Sequence, residues 1–220
     1  MNIDLTFLLS MSCVLPLVAY LFINQRADRR YLPLIIVFLL ALLIEASVYL
    51  NMKYFHVKHG MYSLYTIGVL LWTWFYLLFF RNMQVIRYKR TSYVLFCALL
   101  LLIFCNGVLL YRKENFFNFF RIGVVYAVLM LFFYVNLFSR QILSQASDLL
   151  RNPLFYIGLA GVSFHAFYIF TGTITLLKLS DGGFMNAVQD IMKWVNAISY
   201  LIFAIGILWI PQTKTSIKSS

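Results

Sequence analysis

YLPLIIVFLLALLIEASVYLNM, residues 31–52, carries one charged side chain, Glu45, and is otherwise apolar on every face of a helix. At about 1.5 Å per residue it covers roughly 30 Å, the thickness of the hydrocarbon core of a bilayer. Six more runs share this character: Leu5 to Asn24, Met61 to Phe80, Ser92 to Tyr111, Phe119 to Phe138, Leu154 to Leu177 and Ala187 to Ile210. Together the runs fill most of the 220-residue chain. A membrane-spanning strand would be about half as long and would alternate polar with apolar residues. In lipid only a helix or a closed barrel satisfies its own backbone, so helices are the reading these runs allow. The expectation is an all-α polytopic membrane protein, a single seven-helix transmembrane domain over residues 1–220.

The composition agrees. Hydrophobic residues make up 63% of the chain and charged residues 11%, and mean hydropathy is +0.85. A soluble domain of this size could not cover so much apolar surface with so few charges. The stretch Ser139 to Pro153 is the longest connection, too short for a kinase, nuclease or ligand-binding domain. Any output must come from the bundle or from a partner. The start, Met1 to Asp4, lacks the positive region and cleavage site of a signal peptide, so the first run is expected to stay. Pro16 inside it predicts a kink. Cys13, Cys97 and Cys105 fall inside apolar runs without metal or redox spacing and read as small core hydrophobes.

The net charge is +11. The basic residues flank the apolar runs, where topology and anionic headgroups account for them and nucleic acid does not. One set of connections holds Arg26, Arg29, Arg30, Arg81, Arg87, Lys89, Arg90, Arg140, Arg151, Lys214 and Lys218; the other holds Lys53, Lys58, Arg112, Lys113, Arg121, Lys178 and Lys193. The richer side should be cytoplasmic. Seven spans then put the N-terminus outside and the C-terminus inside, with the chain expected in the inner (cytoplasmic) membrane of the cell. Aromatics crowd the run ends, among them Trp72, Trp74, Tyr88, Tyr93, Trp194 and Trp209, as interfacial anchors do. Ile142, Leu143, Leu149 and Leu150 have helical spacing, which fits either an interfacial helix or an ordinary polar connection.

Ionisable groups at membrane depth are costly and usually face the bundle interior. Glu45 lies about two-thirds of the way outward along the second run. Tyr65 opens the third, Asn106 lies in the outer part of the fourth, and Arg121 begins the fifth. His165 sits near the middle of the sixth with Tyr168 a turn further out, and Asp190, Lys193 and Asn196 descend the seventh. These residues are the ligand-binding candidates. They predict a polar cavity in the extracytoplasmic half, with Glu45 balanced by Arg121 or Lys193 and with Asp190 able to pair with Lys193. Gly158, Gly161 and Gly172 in the sixth run predict close helix packing.

Several chemistries are disfavoured. A retinal protein needs a lysine mid-way along its seventh helix with an acid four positions earlier, whereas Lys193 lies near the start and follows Asp190 by three. His56 and His59 sit beside Lys53 and Lys58, which repel a cation, so no metal site is expected. H-E-x-x-H and G-x-S-x-G are absent. No motif calls for a cofactor.

Glu45 with Tyr49, Met61 to Thr66 (MYSLYT), Arg151 to Tyr156 (RNPLFY), and Trp194, Asn196 and Trp209 together give the chain a layout that resembles small seven-helix membrane proteins of Bacteroidota-type bacteria. Lys193 stands where that resemblance leads one to expect a histidine, which sets this chain's chemistry apart. The resemblance implies a fold, similar in form to the membrane part of bacterial sensory systems, and no set activity. The expected function is a membrane sensor or signalling component, receptor-like, that binds a small or lipidic ligand. It would meet a cytoplasmic or membrane protein partner through Arg26, Arg29, Arg30, Arg87, Lys89 and Arg90. Two alternatives stay open: a lipid-modifying enzyme using Glu45 or His165 as acid or base, and a channel or structural subunit of a complex. Membrane lipids are expected partners, and homo-oligomers are compatible with the sequence.

The charge asymmetry generates a direct test. A reporter enzyme that works only in the cytoplasm, fused after Ser220, should be active, and one that works only outside should be silent. The opposite pattern would overturn the orientation.

Overall fold

The computed structural model describes residues 11–23, 27–51, 58–88, 90–98, 100–101, 116–144, 149–177 and 182–211. Side chains are described from Ile67 in the third helix and from Gly123 in the fifth. Among the described residues there is no β-strand. After a 3-10 turn at Met11–Cys13, the helices are α1 (Val14–Ile23), α2 (Leu32–Leu50), α3 (Lys58–Asn82), α4 (90–98), α5 (Phe116–Ser144), α6 (Pro153–Leu177) and α7 (Gly182–Leu208). Four helical stretches are long and apolar enough to cross a membrane: Arg29–Leu50, Gly123–Leu143, Pro153–Leu177 and Asn186–Leu208. Met11–Ile23 and Ile67–Asn82 are shorter apolar helices.

Local chemistry sets the helix ends. Asp28 accepts hydrogen bonds from the Arg30 amide at 2.9 Å and from Arg30 Nε at 2.8 Å, which starts the 3-10 turn Arg29–Tyr31 that leads into α2. The same Arg30 side chain holds the Asp28 carboxyl below the usual carboxylate range. Pro33 follows where a missing N–H costs nothing. The Leu154 amide donates to Asn152 Oδ1 at 2.9 Å, and Pro153 opens α6. At the end of α3 the Gln84 amide donates to Arg81 O and the Val85 amide to Phe80 O, at 2.9 and 2.8 Å. That is a Schellman motif, with buried Val85 against buried Phe80. It places Gln84 at φ 59°, a left-handed conformation that glycine would adopt without strain.

Three expectations are corrected here. Residues 139–144 continue α5, because nothing between Phe138 and Ser144 breaks a helix, so a separate interfacial helix does not begin at Ser139. Pro16 sits in the first turn of α1, directly after the 3-10 turn, where it disturbs little. Cys13 is buried, but Cys97 is exposed on α4; Cys105 lies outside the described residues.

The helices close into a ring. α5 packs on α6, α6 on α7, α7 on α1, α1 on α2, α2 on α3, and α3 meets α5. α4 meets α3 through Trp74, whose ring lies 4.8 Å from Phe96 and 5.8 Å from Tyr93. The outer surface is apolar: Phe22, Leu43, Phe132, Leu143 and Leu177 are all exposed. Polar side chains such as Thr73, His165 and Ser199 are buried inside. That inversion suits lipid and would be a liability in water. At one end, Asn82 Nδ2 donates to Arg30 O (3.3 Å), Arg140 Nη1 donates to Gln84 O (2.8 Å), and Asn152 Nδ2 donates to Gln141 Oε1 (2.7 Å). These bonds gather Arg29, Arg30, Arg81, Arg87, Arg140 and Arg151 at a single basic end.

Close approach of α5 and α6 rests on glycine. A Cβ on Gly158 would come within 3.1 Å of the Phe138 backbone, and one on Gly161 would overlap the Tyr134 ring. Gly161→Ala should therefore cost about 1–3 kcal/mol. Gln84→Gly should stabilise by about 1 kcal/mol by releasing the left-handed strain. Thermal unfolding in detergent checks both, and a Gln84→Gly protein that melts lower would show that the Gln84 side chain contributes more than its strain costs.

Candidate functional site

Gly161, His165 and Tyr168 recur at helical spacing on one face of α6, so the surface that packs on α5 also carries the polar groups. Gly123 of α5 makes room for Tyr168, whose hydroxyl would lie 2.6 Å from a Cβ at that position. Between the helices of the ring lies a partly open cavity of about 380 Å³, within the roughly 300–1,000 Å³ range of small-molecule sites. Glu45, Trp72, Tyr126, His165, Tyr168 and Asn196 line it, with Phe38, Tyr76, Phe164 and Tyr200 completing the aromatic walls. Five helices contribute: α2, α3, α5, α6 and α7.

His165 is 1% exposed. Its Nδ1 lies 2.8 Å from the Gly161 carbonyl oxygen. A carbonyl can only accept, so Nδ1 carries the proton, and in the neutral ring Nε2 is then a bare acceptor. The Tyr134 ring stacks on the imidazole at 5.2 Å, and the Phe164 edge approaches to 5.1 Å. These neighbours fix the ring orientation. Nε2 has no hydrogen-bond partner among the described residues, and neither have Trp72 Nε1 and Asn196 Oδ1. Of the six buried side-chain atoms left unmet among the described residues, these three belong to residues that line the cavity; Ser92 Oγ, Tyr134 Oη and Ser199 Oγ are the others. Glu45 adds a carboxyl, and among the described residues it has no ion-pair partner.

Beneath the cavity, toward the basic end, lies an aromatic layer. Phe38 meets Phe203 edge-on at 5.0 Å, Phe80 meets Tyr134 at 4.9 Å, and Tyr134 meets Phe203 at 6.3 Å. All four are almost wholly buried. Such aromatic packing joins α2, α3, α5 and α7 in one cluster.

The sequence candidates divide. Glu45, His165, Tyr168 and Asn196 come together at the cavity. Asp190 and Lys193 pair with each other, Nζ to Oδ1 at 2.8 Å, and neither is a lining residue. Pairing of Glu45 with Lys193 is therefore not made: Asp190 lies one turn away on the same helix and engages the ammonium. Tyr65 and Arg121 lie in α3 and α5 with their side chains outside the described residues, and Asn106 lies outside them altogether. Of the partner-facing candidates, Arg29, Arg30, Arg87 and Arg90 are exposed, with Arg30 paired to Asp28; Arg26 and Lys89 lie outside the described residues. Sequence reasoning missed Trp72, Tyr76, Tyr126 and Tyr200. Trp72 was expected as an interfacial anchor and is instead part of the cavity wall. Its i, i+4 spacing with Tyr76 was the signal available.

Among the described residues no cluster of His, Cys, Asp or Glu could hold a metal ion. No family model, curated protein or solved structure matches the chain.

The aromatic layer generates a test of access. In a chain whose three cysteines are replaced by serine, Asn196→Cys should react with a small water-soluble thiol reagent and Phe203→Cys should not. Equal reaction at both positions would show that the layer does not seal the cavity.

Proposed function

We propose that this protein is a seven-span sensor of the bacterial inner membrane, with its N-terminus outside and its C-terminus in the cytoplasm. It binds a small ligand in the extracytoplasmic half of the ring. The observation that carries the reading is the cavity itself, lined by Glu45, Trp72, His165 and Asn196, of which Trp72 Nε1, His165 Nε2 and Asn196 Oδ1 have no hydrogen-bond partner among the described residues. The lining selects a ligand with an apolar or aromatic body and at least one hydrogen-bond donor, for which His165 Nε2, Asn196 Oδ1 and Glu45 supply acceptors. A ligand touching α2, α3, α5, α6 and α7 at once favours one arrangement of the ring over others, which is what signal transfer requires. The output surface is the basic end, through Arg29, Arg87 and Arg90. The buried aromatic layer below the cavity argues against a conducting pore.

One observation favours a second reading. A carboxyl (Glu45) and a bare imidazole nitrogen (His165 Nε2) share the cavity, as an acid and base acting on a lipid would.

Native mass spectrometry of protein purified in mild detergent tests both. The wild type should retain a small molecule, and Glu45→Gln and His165→Gln should each bind it roughly tenfold more weakly, with cooperative unfolding preserved. A ligand released chemically altered by the wild type and unaltered by Glu45→Gln would favour the enzyme. Wild-type protein that carries only bulk lipid, or variants that keep the ligand, would overturn the binding reading.

A further inference from the structure

We propose that the basic end carries a site for a phosphate-bearing anion, held by Arg81, Arg87 and Arg140 across the junction of α3 and α5. The anion is either the headgroup of an anionic phospholipid or a soluble phosphate. An open pocket of about 550 Å³ lies there, lined by Arg81, Gln84, Ile86, Arg87 and Arg140. Its described lining has three guanidiniums and no carboxylate. Neither Arg81 nor Arg87 has an ion-pair partner among the described residues. Like charges converging on one space repel, and a shared anion converts that repulsion into charge-assisted hydrogen bonds.

The backbone is shaped for this convergence. The Schellman motif that ends α3 turns the chain sharply, so that Arg87, beyond the helix, faces the same pocket as Arg81 within it. Gln84 holds a left-handed conformation, and its carbonyl accepts from Arg140 Nη1 at 2.8 Å. That bond fixes the third guanidinium beside the other two. Strained residues of this kind cluster at functional sites. Complementing the α3 dipole would explain Arg81 alone; it does not explain why guanidiniums from two helices and a loop line one pocket. The location also matters. The anion would join α3 to α5 at the basic end, where Arg140 of α5 already reaches the Gln84 carbonyl beyond α3.

The test uses the full chain in detergent, with native mass spectrometry and thermal unfolding. Phosphatidylglycerol, phosphatidylcholine and inorganic phosphate are titrated separately into wild type, an R81Q/R87Q variant and an R29Q/R90Q variant of equal charge. A lipid site predicts that phosphatidylglycerol binds in preference to phosphatidylcholine and raises the melting temperature. R81Q/R87Q should weaken that binding roughly tenfold or more, while R29Q/R90Q should not. A soluble source predicts the same variant dependence for inorganic phosphate. If R81Q/R87Q fails to unfold cooperatively, R87Q alone serves, since Arg87 is exposed. Equal weakening by both charge-matched variants, or no dependence on Arg81 and Arg87 for either probe, would overturn the site.

Discussion

Hydrocarbon offers no hydrogen bonds, and the architecture follows from that constraint. Each backbone polar group must be met within its own helix, so the chain resolves into apolar helices joined by short connections. Side chains that need a partner cannot look for one in lipid, and they turn inward. Hence the exterior is Phe22, Phe132 and Leu143, while Thr73, His165 and Ser199 are buried. Thr73 illustrates the local solution: its hydroxyl donates to the Val69 carbonyl at 2.6 Å on its own helix. His165 uses the same device with Gly161, but an imidazole has two nitrogens and the helix can satisfy only one. The site exists because of that remainder.

Glycine links packing to chemistry. Gly158 and Gly161 let α5 approach α6 until the Tyr134 ring lies over the position of the missing Cβ. The same ring stacks on His165 and meets Phe80 and Phe203 below. One side chain therefore touches both a residue of the cavity wall, His165, and the aromatic layer beneath it. Tyr134 thus joins the imidazole of α6 to rings of α3 and α7. This is a contiguous route of packed rings from the cavity toward the basic end, of the kind that can carry coupling between two sites.

The helical class and the membrane setting were legible because apolar composition over the length of a bilayer permits little else, as residues 31–52 show. The polar candidates Glu45, His165, Tyr168 and Asn196 were legible because membrane depth makes such residues expensive and so marks them. The aromatic walls were not, since in a chain with 19% aromatics Trp72 or Tyr126 looks the same whether it anchors an interface or lines a cavity. Only helix rotation distinguishes the two, and rotation is set by neighbours far along the chain. Of the two counter-charges expected for Glu45, Arg121 has its side chain outside the described residues, and Lys193 failed for a similar reason. Lys193 was close enough in depth, but Asp190, three residues away, reaches it with less conformational cost. Nor could the length of α5 be judged from hydropathy, which falls at Ser139 although the helix continues to Ser144.

The central claim is that His165 donates its Nδ1 proton to the Gly161 carbonyl and leaves Nε2 bare in the wall of the cavity. Nitrogen-15 NMR of histidine-labelled protein in lipid nanodiscs tests it most directly, with His56 and His59 replaced by asparagine so that one imidazole remains. The account predicts the Nδ1–H tautomer, with an unprotonated Nε2 resonance that shifts when a bound small molecule is removed. A Nε2–H tautomer, or an Nε2 signal indifferent to the cavity's contents, would contradict it.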